Sequence, residues 1–454
     1  MADDEVVALY DEAGEVAGSA PRSVMRARNL RHAASSVVVR DPLGRVYLHR
    51  RTTTKDVYPG LLDLAAGGVV LAGEDPARCA AREDEEELVV AGVRLEPLGD
   101  ADYADDDTRY RAFRFVVTWD GPIRWQPEEV SWGEWVTVEE LVRRFDDEAG
   151  SIVPDSVAVW SHIVRSWHAD RVLLQQGRDS VETLVEQRWV DRTARRPEVE
   201  IALLAEAVLL PAIGDRLPVE VPHPVVLDRE PLRVRHVLVA GEAVDPGRLT
   251  SADGEVFAAF LTALHATPLP LAADAGCPSA ADDHVDRAVQ VERFRHVVLP
   301  MLAPDLRATG EALLERVATV GEQALCHGDL VTEHVLAREG RLSGVIEWAG
   351  ARVTDPALDL AWALNATSAD FADAVASGVD PDSRARARDW WALAPWQAVH
   401  RVAARSEAAE AAEAAEPWDA REAGEPGEPG EGEPATVWRG LDAVVTRLVW
   451  WRDA

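Results

Sequence analysis

The stretch GGVVLAGEDPARCAAREDEEELVV, residues 67–90, holds a glycine pair, a helix start and five consecutive acidic residues. Asp75 followed by Pro76 predicts a helix over 75–88, because aspartate caps helix N-termini and proline fits the first helical position. Acidic residues at helical neighbour spacing repel one another. The acidic run 83–87 is therefore either a solvated face or a site for a cation.

Three of these acids are spaced to share one face of the helix. Glu83, Glu86 and Glu87 stand at positions i, i+3 and i+4. Carboxylates grouped in this way form an oxygen-rich site for a hard cation, Mg²⁺ or Mn²⁺, and the Gly67-Gly68 turn can bring backbone carbonyls to the same ion. A divalent ion there can bridge a diphosphate and activate water for attack on phosphorus.

The spacing resembles the Nudix hydrolase signature, which runs Gly, five residues, Glu, seven residues, Arg-Glu, two residues, Glu-Glu. The matching positions are Gly68, Glu74, Arg82-Glu83 and Glu86-Glu87. Because the glycines, Glu74 and Arg82 are in register with the acids, a metal site is favoured over a solvated acidic face. The resemblance covers about residues 5–165, and RRTTTKDVYPGLLDLAAGGVV resembles the branch related to isopentenyl-diphosphate isomerase.

The resemblance implies roles for particular residues in metal-dependent catalysis. The implied metal ligands lie on the shared helix face and in the turn before it: Gly68, Glu83, Glu86 and Glu87. Arg82 would orient the acidic cluster. Glu129, in the EEV stretch, would be the general base or a further ligand.

Two positions depart from the Nudix pattern. Asp84 stands where the pattern has an apolar residue, and Val89 stands where it has a glycine that closes the helix. A β-branched residue resists the left-handed conformation of such a glycine, so the local geometry is expected to be affected. The isomerases carry an essential cysteine in the segment corresponding to LLDLAAGG, but the nearest cysteine here is Cys79. Isomerase chemistry is therefore not expected.

A second group of polar residues lies between apolar stretches of the C-terminal half. The segment CHGDL at 326–330 is followed by His334, by Glu347 in VIEWAG and by DPALDLAW. An aspartate on a tight loop can orient and deprotonate an acceptor hydroxyl, while two nearby ligands hold Mg²⁺ on a nucleotide. This arrangement favours phosphoryl transfer.

These motifs resemble the aminoglycoside and macrolide phosphotransferase family over about residues 175–405, which implies a protein-kinase-like fold and ATP as cosubstrate. By that resemblance Asp329 is the catalytic aspartate. His334 takes the place of the usual asparagine and Glu347 that of the usual metal-binding aspartate, so both are implied metal ligands.

The N-terminal lobe of such kinases uses a glycine-containing loop and a lysine paired with a helix glutamate. The candidate loop is QQGRDS at 175–180. Lys55 is the only lysine of the chain, so an arginine must replace the kinase lysine, and Arg192 with Glu206 is the predicted nucleotide-binding pair. The alternative is a pseudokinase that keeps the fold without the chemistry.

Composition limits the partners of the chain. A net charge of −33 over 454 residues argues against nucleic acid, whose phosphates would be repelled. Three widely spaced cysteines predict no disulfide framework. The acidic N-terminus lacks the apolar segment of a signal peptide. The sequence also has no apolar run long enough to predict a membrane span. A cytoplasmic protein without a membrane partner is expected.

Together the patterns predict a multidomain protein with α/β and α+β parts. We expect a Nudix α/β/α sandwich at 1–165, a two-lobed protein-kinase-like domain at 170–405, an acidic flexible linker at 406–436 and a C-terminal helix at 437–454. The first domain would cleave a small-molecule diphosphate compound, such as a nucleoside-diphosphate derivative, and the second would phosphorylate a small-molecule hydroxyl. The alternatives are an active Nudix hydrolase with a pseudokinase that binds a ligand or regulates, and a ligand sensor without catalysis.

Overall fold

The computed structural model describes residues 5–55, 57–176, 180–319, 323–415 and 433–453. The chain divides into two compact units, the first made of residues 1–176 and 182–191 and the second of residues 177–181 and 192–454. The predicted domain limits, 1–165 and 170–405, remain predictions. Of the helices within the described ranges, none is long and apolar enough to span a membrane.

The first unit combines a mixed sheet with helices. Its described strands are β1 (Val6–Tyr10), β2 (Val16–Pro21), β3 (His32–Arg40), β4 (Val46–Arg51), β5 (Leu62–Asp63), β6 (Ala66–Val69), β7 (Glu96–Ala104), β8 (Arg109–Thr118) and β9 (Val130–Val136). Its described helices are α1 (Arg22–Ala27), α2 (Pro76–Leu88), α3 (Val138–Asp147) and α4 (Pro154–Ala169). The strands β10 (Arg171–Gln176), β11 (Ser180–Val185) and β12 (Trp189–Ala194) follow.

Strand β3 is the centre of the first unit's sheet. It pairs in parallel with β8, from His32 opposite Tyr110 to Arg40 opposite Thr118, and antiparallel with β6. Its side chains alternate between two cores, as a strand buried on both faces requires. Val38 packs in the cluster that contains residues of α3 and α4, while Val37 and Val39 pack in the cluster that contains Leu88 of α2. The predicted α/β/α sandwich is thereby confirmed.

Local capping signals place α2 and α3. The Asp75 carboxylate accepts from the backbone N–H of Ala77 at 2.9 Å, and Pro76 is the first residue of α2, as predicted. Thr137 caps α3 by accepting from the N–H of Glu140 at 3.1 Å. The Glu140 side chain binds Arg143 and Arg144.

The second unit is mainly helical beyond its first strands. Its remaining described strands are β13 (Val225–Arg229), β14 (Leu232–Val237), β15 (Glu242–Ala243), β16 (Ala324–Cys326), β17 (Val335–Arg338), β18 (Arg341–Val345) and β19 (Arg352–Thr354). Its described helices are α5 (Pro197–Ile213), α6 (Ser251–His265), α7 (Leu269–Asp274), α8 (Ala280–Val297), α9 (Pro304–Ala318), α10 (Ala357–Asn365), α11 (Ala369–Ala376), α12 (Pro381–Ala415) and α13 (Glu433–Asp453).

The C-terminal helix packs on the second unit. Leu441, Val444 and Leu448 of α13 are buried in one cluster with Trp396 and Val399 of α12. The linker predicted at 406–436 overlaps the ends of both helices, and residues 416–432 lie outside the described residues. The candidate loop at 175–180 likewise includes 177–179, which lie outside them.

Short strand pairs frame the predicted catalytic loop of the second unit. Residues 327–334 lie between β16, which pairs with β19, and β17, which pairs with β18. The turn between β17 and β18 is at Glu339 and Gly340, both with positive φ. Glu347 lies two residues beyond the end of β18 and has a φ of 67°.

Candidate active sites

Helix α2 presents the three predicted ligands of the first site with different exposures. The side chains of Glu83, Glu86 and Glu87 are 15%, 55% and 6% exposed, respectively. Burial raises the pKa of Glu83, although the Arg82 charge lowers it, and burial likewise raises the pKa of Glu87, with Lys55 opposing. These carboxylates are held close together at a cost that a bound cation would offset.

Arg82 contacts the acidic cluster, as the sequence predicts for it. Its Nη1 donates to Glu83 at 2.7 Å and to Glu86 at 3.2 Å, and its Nε donates to Glu74 at 3.1 Å. Burial would lower the pKa of Arg82, but Glu74 and Glu83 raise it above its ordinary value. The guanidinium therefore fixes the position of all three carboxylates while it stays charged.

Gly67 and Gly68 lack a Cβ, so neighbouring atoms approach their backbone more closely than any other residue would permit. A Cβ built on Gly68 would lie 2.2 Å from Oε1 of Glu83, and one on Gly67 would lie 2.4 Å from the carbonyl oxygen of Ser35. Gly67 also donates its N–H to Oε2 of Glu87 at 3.3 Å. Gly67 and Gly68 lie in strand β6, paired with Ser36 and Ser35 of β3, and not in the turn that the sequence predicted. The carboxylates that meet at this strand fit a hard divalent cation.

Glu129 joins the site through Lys55. The Lys55 ammonium lies 3.2 Å from Oε1 of Glu87 and also contacts the carboxylate of Glu129. The N–H of Thr52 donates to the carbonyl of Glu129 at 3.0 Å, which ties this segment to the Lys55 turn. The sequence signals only that Lys55 is the single lysine and does not predict this contact, because residues 55 and 129 are far apart along the chain.

The two departures from the Nudix pattern are both visible in α2. Asp84 is 1% exposed, neither of its carboxylate oxygens has a hydrogen-bond partner among the described residues, and burial raises its pKa to about 8. Val89 ends the helix with φ 57° and ψ 34°, the left-handed conformation that a glycine would adopt without strain. Helix α2 therefore ends in the usual left-handed conformation, although valine adopts that conformation only with strain.

A cavity of about 120 Å³ borders Gly67 and Gly68. Polar and aromatic residues that the sequence did not single out line it: Arg26, Arg51, Tyr58, Asp63, Tyr110 and Asp155. The Tyr110 hydroxyl donates to Asp155 at 2.8 Å, and burial raises the pKa of Asp155 to about 6. Arg51 and Asp63 lie within the stretch that resembles Nudix hydrolases, so the sequence could have indicated them as site residues. Tyr110 of β8 and Asp155 of α4 come together only in the folded chain.

In the second unit, hydrogen bonds hold the predicted catalytic loop. The side chain of Asp329 is 63% exposed, while Nδ1 of His334 lies 2.7 Å from the Asp329 carbonyl and 3.7 Å from its carboxylate. The N–H of Ile346 donates to the carbonyl of His334 at 2.9 Å, and Nε2 of His327 lies 2.9 Å from the Ile346 carbonyl. The loop is thus joined to the strand end that carries Glu347.

The carboxylate of Asp359 binds the backbone of this loop. Its carboxylate accepts from the N–H groups of His327 and Gly328, both at 2.9 Å, and lies 3.1 Å from Nε2 of His265. Burial would raise the pKa of Asp359, but the hydrogen bond and charge of His265 lower it below its ordinary value. The sequence marks Asp359 within DPALDLAW and indicates no role for His265.

Arg192 connects three parts of the second unit. Its Nη1 donates to Glu206 of α5 at 2.8 Å, with both side chains almost fully buried, and its Nη2 donates to Glu347 at 3.1 Å. Burial raises the pKa of Glu206, although the Arg192 charge lowers it. The structure therefore brings together the arginine and the two glutamates that the sequence selects from different motifs.

Comparisons with known proteins agree with this division of the chain. The model of the NUDIX domain matches residues 30–156, and that of the phosphotransferase enzyme family matches residues 162–396. An uncharacterised Nudix hydrolase, orf19 of Rhodococcus erythropolis, is 42% identical over 166 residues, which are 34% of this chain and 90% of that protein. The uncharacterised Nudix hydrolase YfcD of Escherichia coli strain K12 is 41% identical over 163 residues, 35% of this chain and 88% of that protein.

A solved structure with bound GDP and kanamycin is similar in fold to part of this chain. The GDP and kanamycin complex of APH(2″)-IIIa superposes with a TM-score of 0.50 at 19% identity, covering 64% of this chain and 98% of that one. At this identity the likeness shows the fold alone.

Proposed function

Because the chain belongs to the Nudix family in its N-terminal part and to the phosphotransferase enzyme family in its C-terminal part, we propose that it is a bifunctional enzyme. The first unit hydrolyses the phosphoanhydride of a small-molecule diphosphate compound. The second unit transfers a phosphoryl group from a nucleoside triphosphate, ATP or GTP, to a hydroxyl group of a small molecule.

The observation that carries the hydrolase proposal is the set of carboxylates gathered around Arg82 and the glycine pair of β6. Glu83, Glu86 and Glu87 would hold a divalent cation, Mg²⁺ or Mn²⁺, which would polarise the diphosphate and lower the pKa of a water molecule. Arg82 keeps Glu83 and Glu86 in place through its Nη1. Glu129, whose carboxylate is about one-third exposed, would accept the proton of the attacking water.

The structure gives no support to isomerase chemistry in this unit. Cys79 is fully buried, and burial raises the pKa of its thiol to about 12. Such a thiol is neither accessible nor ionised at neutral pH. Hydrolysis is therefore the reaction that the residues of this site support.

Glu86 offers a direct test of the hydrolase, because its exposed side chain can change without disturbing the core. We expect Glu86→Gln to lower Mg²⁺-dependent phosphate release from a panel of diphosphate compounds by ~100-fold or more, the scale typical of removing one charged active-site contact. The matched control is Glu85→Gln, an exposed neighbour on another face of the helix. Equal release by wild type and Glu86→Gln would refute the assignment.

The phosphotransferase proposal is carried by the contacts of Arg192 with Glu206 and Glu347. Arg192 would bind the nucleotide phosphates, with Glu206 holding its guanidinium in place. His334 and Glu347 would hold Mg²⁺, which would neutralise charge on the transferred phosphoryl group. The exposed Asp329 carboxylate would orient the acceptor hydroxyl and take its proton.

A non-catalytic second unit is the competing proposal, favoured by the engagement of Glu347 with Arg192 and by the replacement of the usual asparagine and aspartate. Calorimetric titration with Mg·ATP and Mg·GTP, combined with an acceptor panel scored for nucleotide consumption, separates the two. An enzyme consumes nucleotide with at least one acceptor, and Asp329→Asn abolishes the turnover but not the binding. Nucleotide binding without turnover across the panel would favour the pseudokinase.

A further inference from the structure

We propose that Lys55 is a positioning residue of the first site, whose ammonium holds Glu87 and Glu129 together and gives way when a divalent cation binds. The inference rests on the proposed metal-dependent hydrolysis and adds to it a residue outside the Nudix signature. It states that the Lys55 ammonium occupies the carboxylates of Glu87 and Glu129 until a divalent cation takes its place. This exchange can be measured without turnover.

The contacts of Lys55 place a single cation between two carboxylates from separate elements. Its Nζ lies 3.2 Å from Oε1 of Glu87 on α2 and contacts Glu129 just before β9. Glu87 is 6% exposed and Lys55 only 18%. An ion pair this poorly solvated is screened much less than one at the surface, so it contributes strongly to the placement of both carboxylates.

Two side-chain cations divide the acidic cluster between them. Arg82 binds Glu74, Glu83 and Glu86, whereas Lys55 binds Glu87 and Glu129. The two cations differ in how rigidly they hold their carboxylate partners. The planar guanidinium of Arg82 holds its partners in a fixed geometry, but an ammonium is a compact point charge on a flexible four-carbon stem.

Exchange with a divalent cation follows from charge and geometry. Mg²⁺ carries twice the charge of an ammonium and prefers carboxylate oxygens, so it competes for the partners of Lys55. Lys55 lies in the turn between β4 and β5, where its N–H contacts the carbonyl of Thr52 at 3.5 Å. Its stem can swing from this partly exposed turn toward solvent without a change in the sheet.

The composition of the chain makes the exchange directly observable. Lys55 is the only lysine among 454 residues, so an amine-acylating reagent has one side-chain target, and mass spectrometry distinguishes it from the α-amino group. We expect the full-length chain to be acylated at Lys55 several times faster with Mg²⁺ than with KCl of equal ionic strength. A rate that Mg²⁺ leaves unchanged would overturn the proposal, and this experiment needs no variant.

A binding experiment tests the same exchange from the side of the metal. Calorimetric titration with Mg²⁺ should show Lys55→Met binding roughly five- to tenfold more tightly than wild type, equivalent to ~1 to 1.4 kcal/mol. Arg50→Met is the matched control, because it removes one positive charge near Lys55 at an exposed residue of β4, whose Nη1 binds the Gly60 carbonyl at 2.9 Å. The second unit is identical in all three proteins, so its own metal binding contributes equally.

The outcomes separate this inference from the proposed function. Tighter Mg²⁺ binding by Lys55→Met but not by Arg50→Met supports the exchange, even if no diphosphate in the panel is hydrolysed. Unchanged or weaker binding by Lys55→Met, or equal tightening in both variants, overturns it, even if hydrolysis is observed. Should Lys55→Met fail to fold, Lys55→Gln replaces it in the same titration.

Discussion

Nη2 of Arg192 lies 3.1 Å from Oε2 of Glu347, so the arginine that we propose in place of the kinase lysine binds the glutamate that we propose in place of the kinase metal ligand. A lysine ammonium carries no planar fork to span Glu206 and Glu347 at once. We expect Arg192→Lys to weaken Mg·ATP binding by ~10-fold, or 1.4 kcal/mol, as measured by calorimetric titration. Arg195→Lys, at an exposed position, is the control, and undiminished affinity in Arg192→Lys would contradict the assigned role.

The close approach of Gly68 to Glu83 predicts the effect of one added methyl group. A Cβ at Gly68 would lie 2.2 Å from Oε1 of Glu83, so Gly68→Ala must displace that carboxylate. We expect at least a ~10-fold loss of Mg²⁺-dependent hydrolysis, since small displacements of a positioned group cost this much or more. Gly150→Ala, where a Cβ meets no atom within 4 Å, should retain full activity in the same assay.

Asp84 predicts a pH dependence of stability with a definite sign. Burial raises its pKa to about 8, so the folded protein binds a proton that the unfolded chain releases above its ordinary pKa of ~4. This contribution is fully present below pH ~4, and it falls by up to ~1.4 kcal/mol per pH unit as the pH rises toward 8.

Removing the Asp84 carboxyl should therefore raise the unfolding temperature of the first unit, more at pH 8 than at pH 5. Calorimetric scans of full-length Asp84→Leu test this, because the substitution supplies the apolar residue that the buried position favours. Asp84→Asn separates titration from polarity, since it keeps the shape but cannot ionise. Parallel pH profiles for wild type and both variants would show that Asp84 does not titrate in this range.

The strained end of α2 predicts a stabilising substitution. Val89 has a φ of 57° and is about half exposed, so glycine would relieve ~1–2 kcal/mol of left-handed strain at a smaller entropic cost of ~0.5–1 kcal/mol. Val89→Gly should raise the unfolding temperature of the first unit in calorimetric scans. Val16→Gly, at an exposed strand position, should lower it. A decrease for Val89→Gly would mean that the helix end is not strained.

Asp359 is expected to matter for both stability and phosphoryl transfer. Its buried carboxylate accepts from His327 and Gly328 and pairs with His265. Asp359→Asn should cost ~2–4 kcal/mol of stability, as loss of a buried charged acceptor does, and lower nucleotide consumption by loosening the loop that carries Asp329. Asp370→Asn, an exposed aspartate on α11, controls for the change of charge in both assays.

The sequence predicted those features that depend on neighbouring residues or on a recognised motif. The Asp75-Pro76 start of α2 was predictable because a capping carboxylate and a missing N–H act within one helical turn. The pairing of Arg192 with Glu206 was predictable because such kinases pair a lysine with a helix glutamate, and this part of the chain offers only arginine as the cation. Thr137 followed three residues later by Glu140 is the pattern of a capping box, but the Glu140 side chain binds Arg143 and Arg144.

Contacts between distant segments were beyond prediction from one sequence. Lys55 and Glu129 approach because β9 pairs with β4, and no pattern in either segment encodes that register. Asp155 and Tyr110 meet in the same way across α4 and β8. The acidic run alone does not indicate the burial of Asp84, since an aspartate in such a run is normally solvated, although the Nudix pattern has an apolar residue at this position.

The central position of β3 has a consequence for how the first unit is made. Its parallel partner begins with Tyr110 opposite His32, so at a synthesis rate of roughly 5–20 residues per second the nascent strand waits ~4–16 s for that partner. During this interval β3 lacks its parallel partner, and β1, β4 and β6 are the described partner strands that can already cover it. Ribosome pausing within residues 70–110 would lengthen the wait and expose the strand to misassembly on the ribosome before any part of the second unit has been translated.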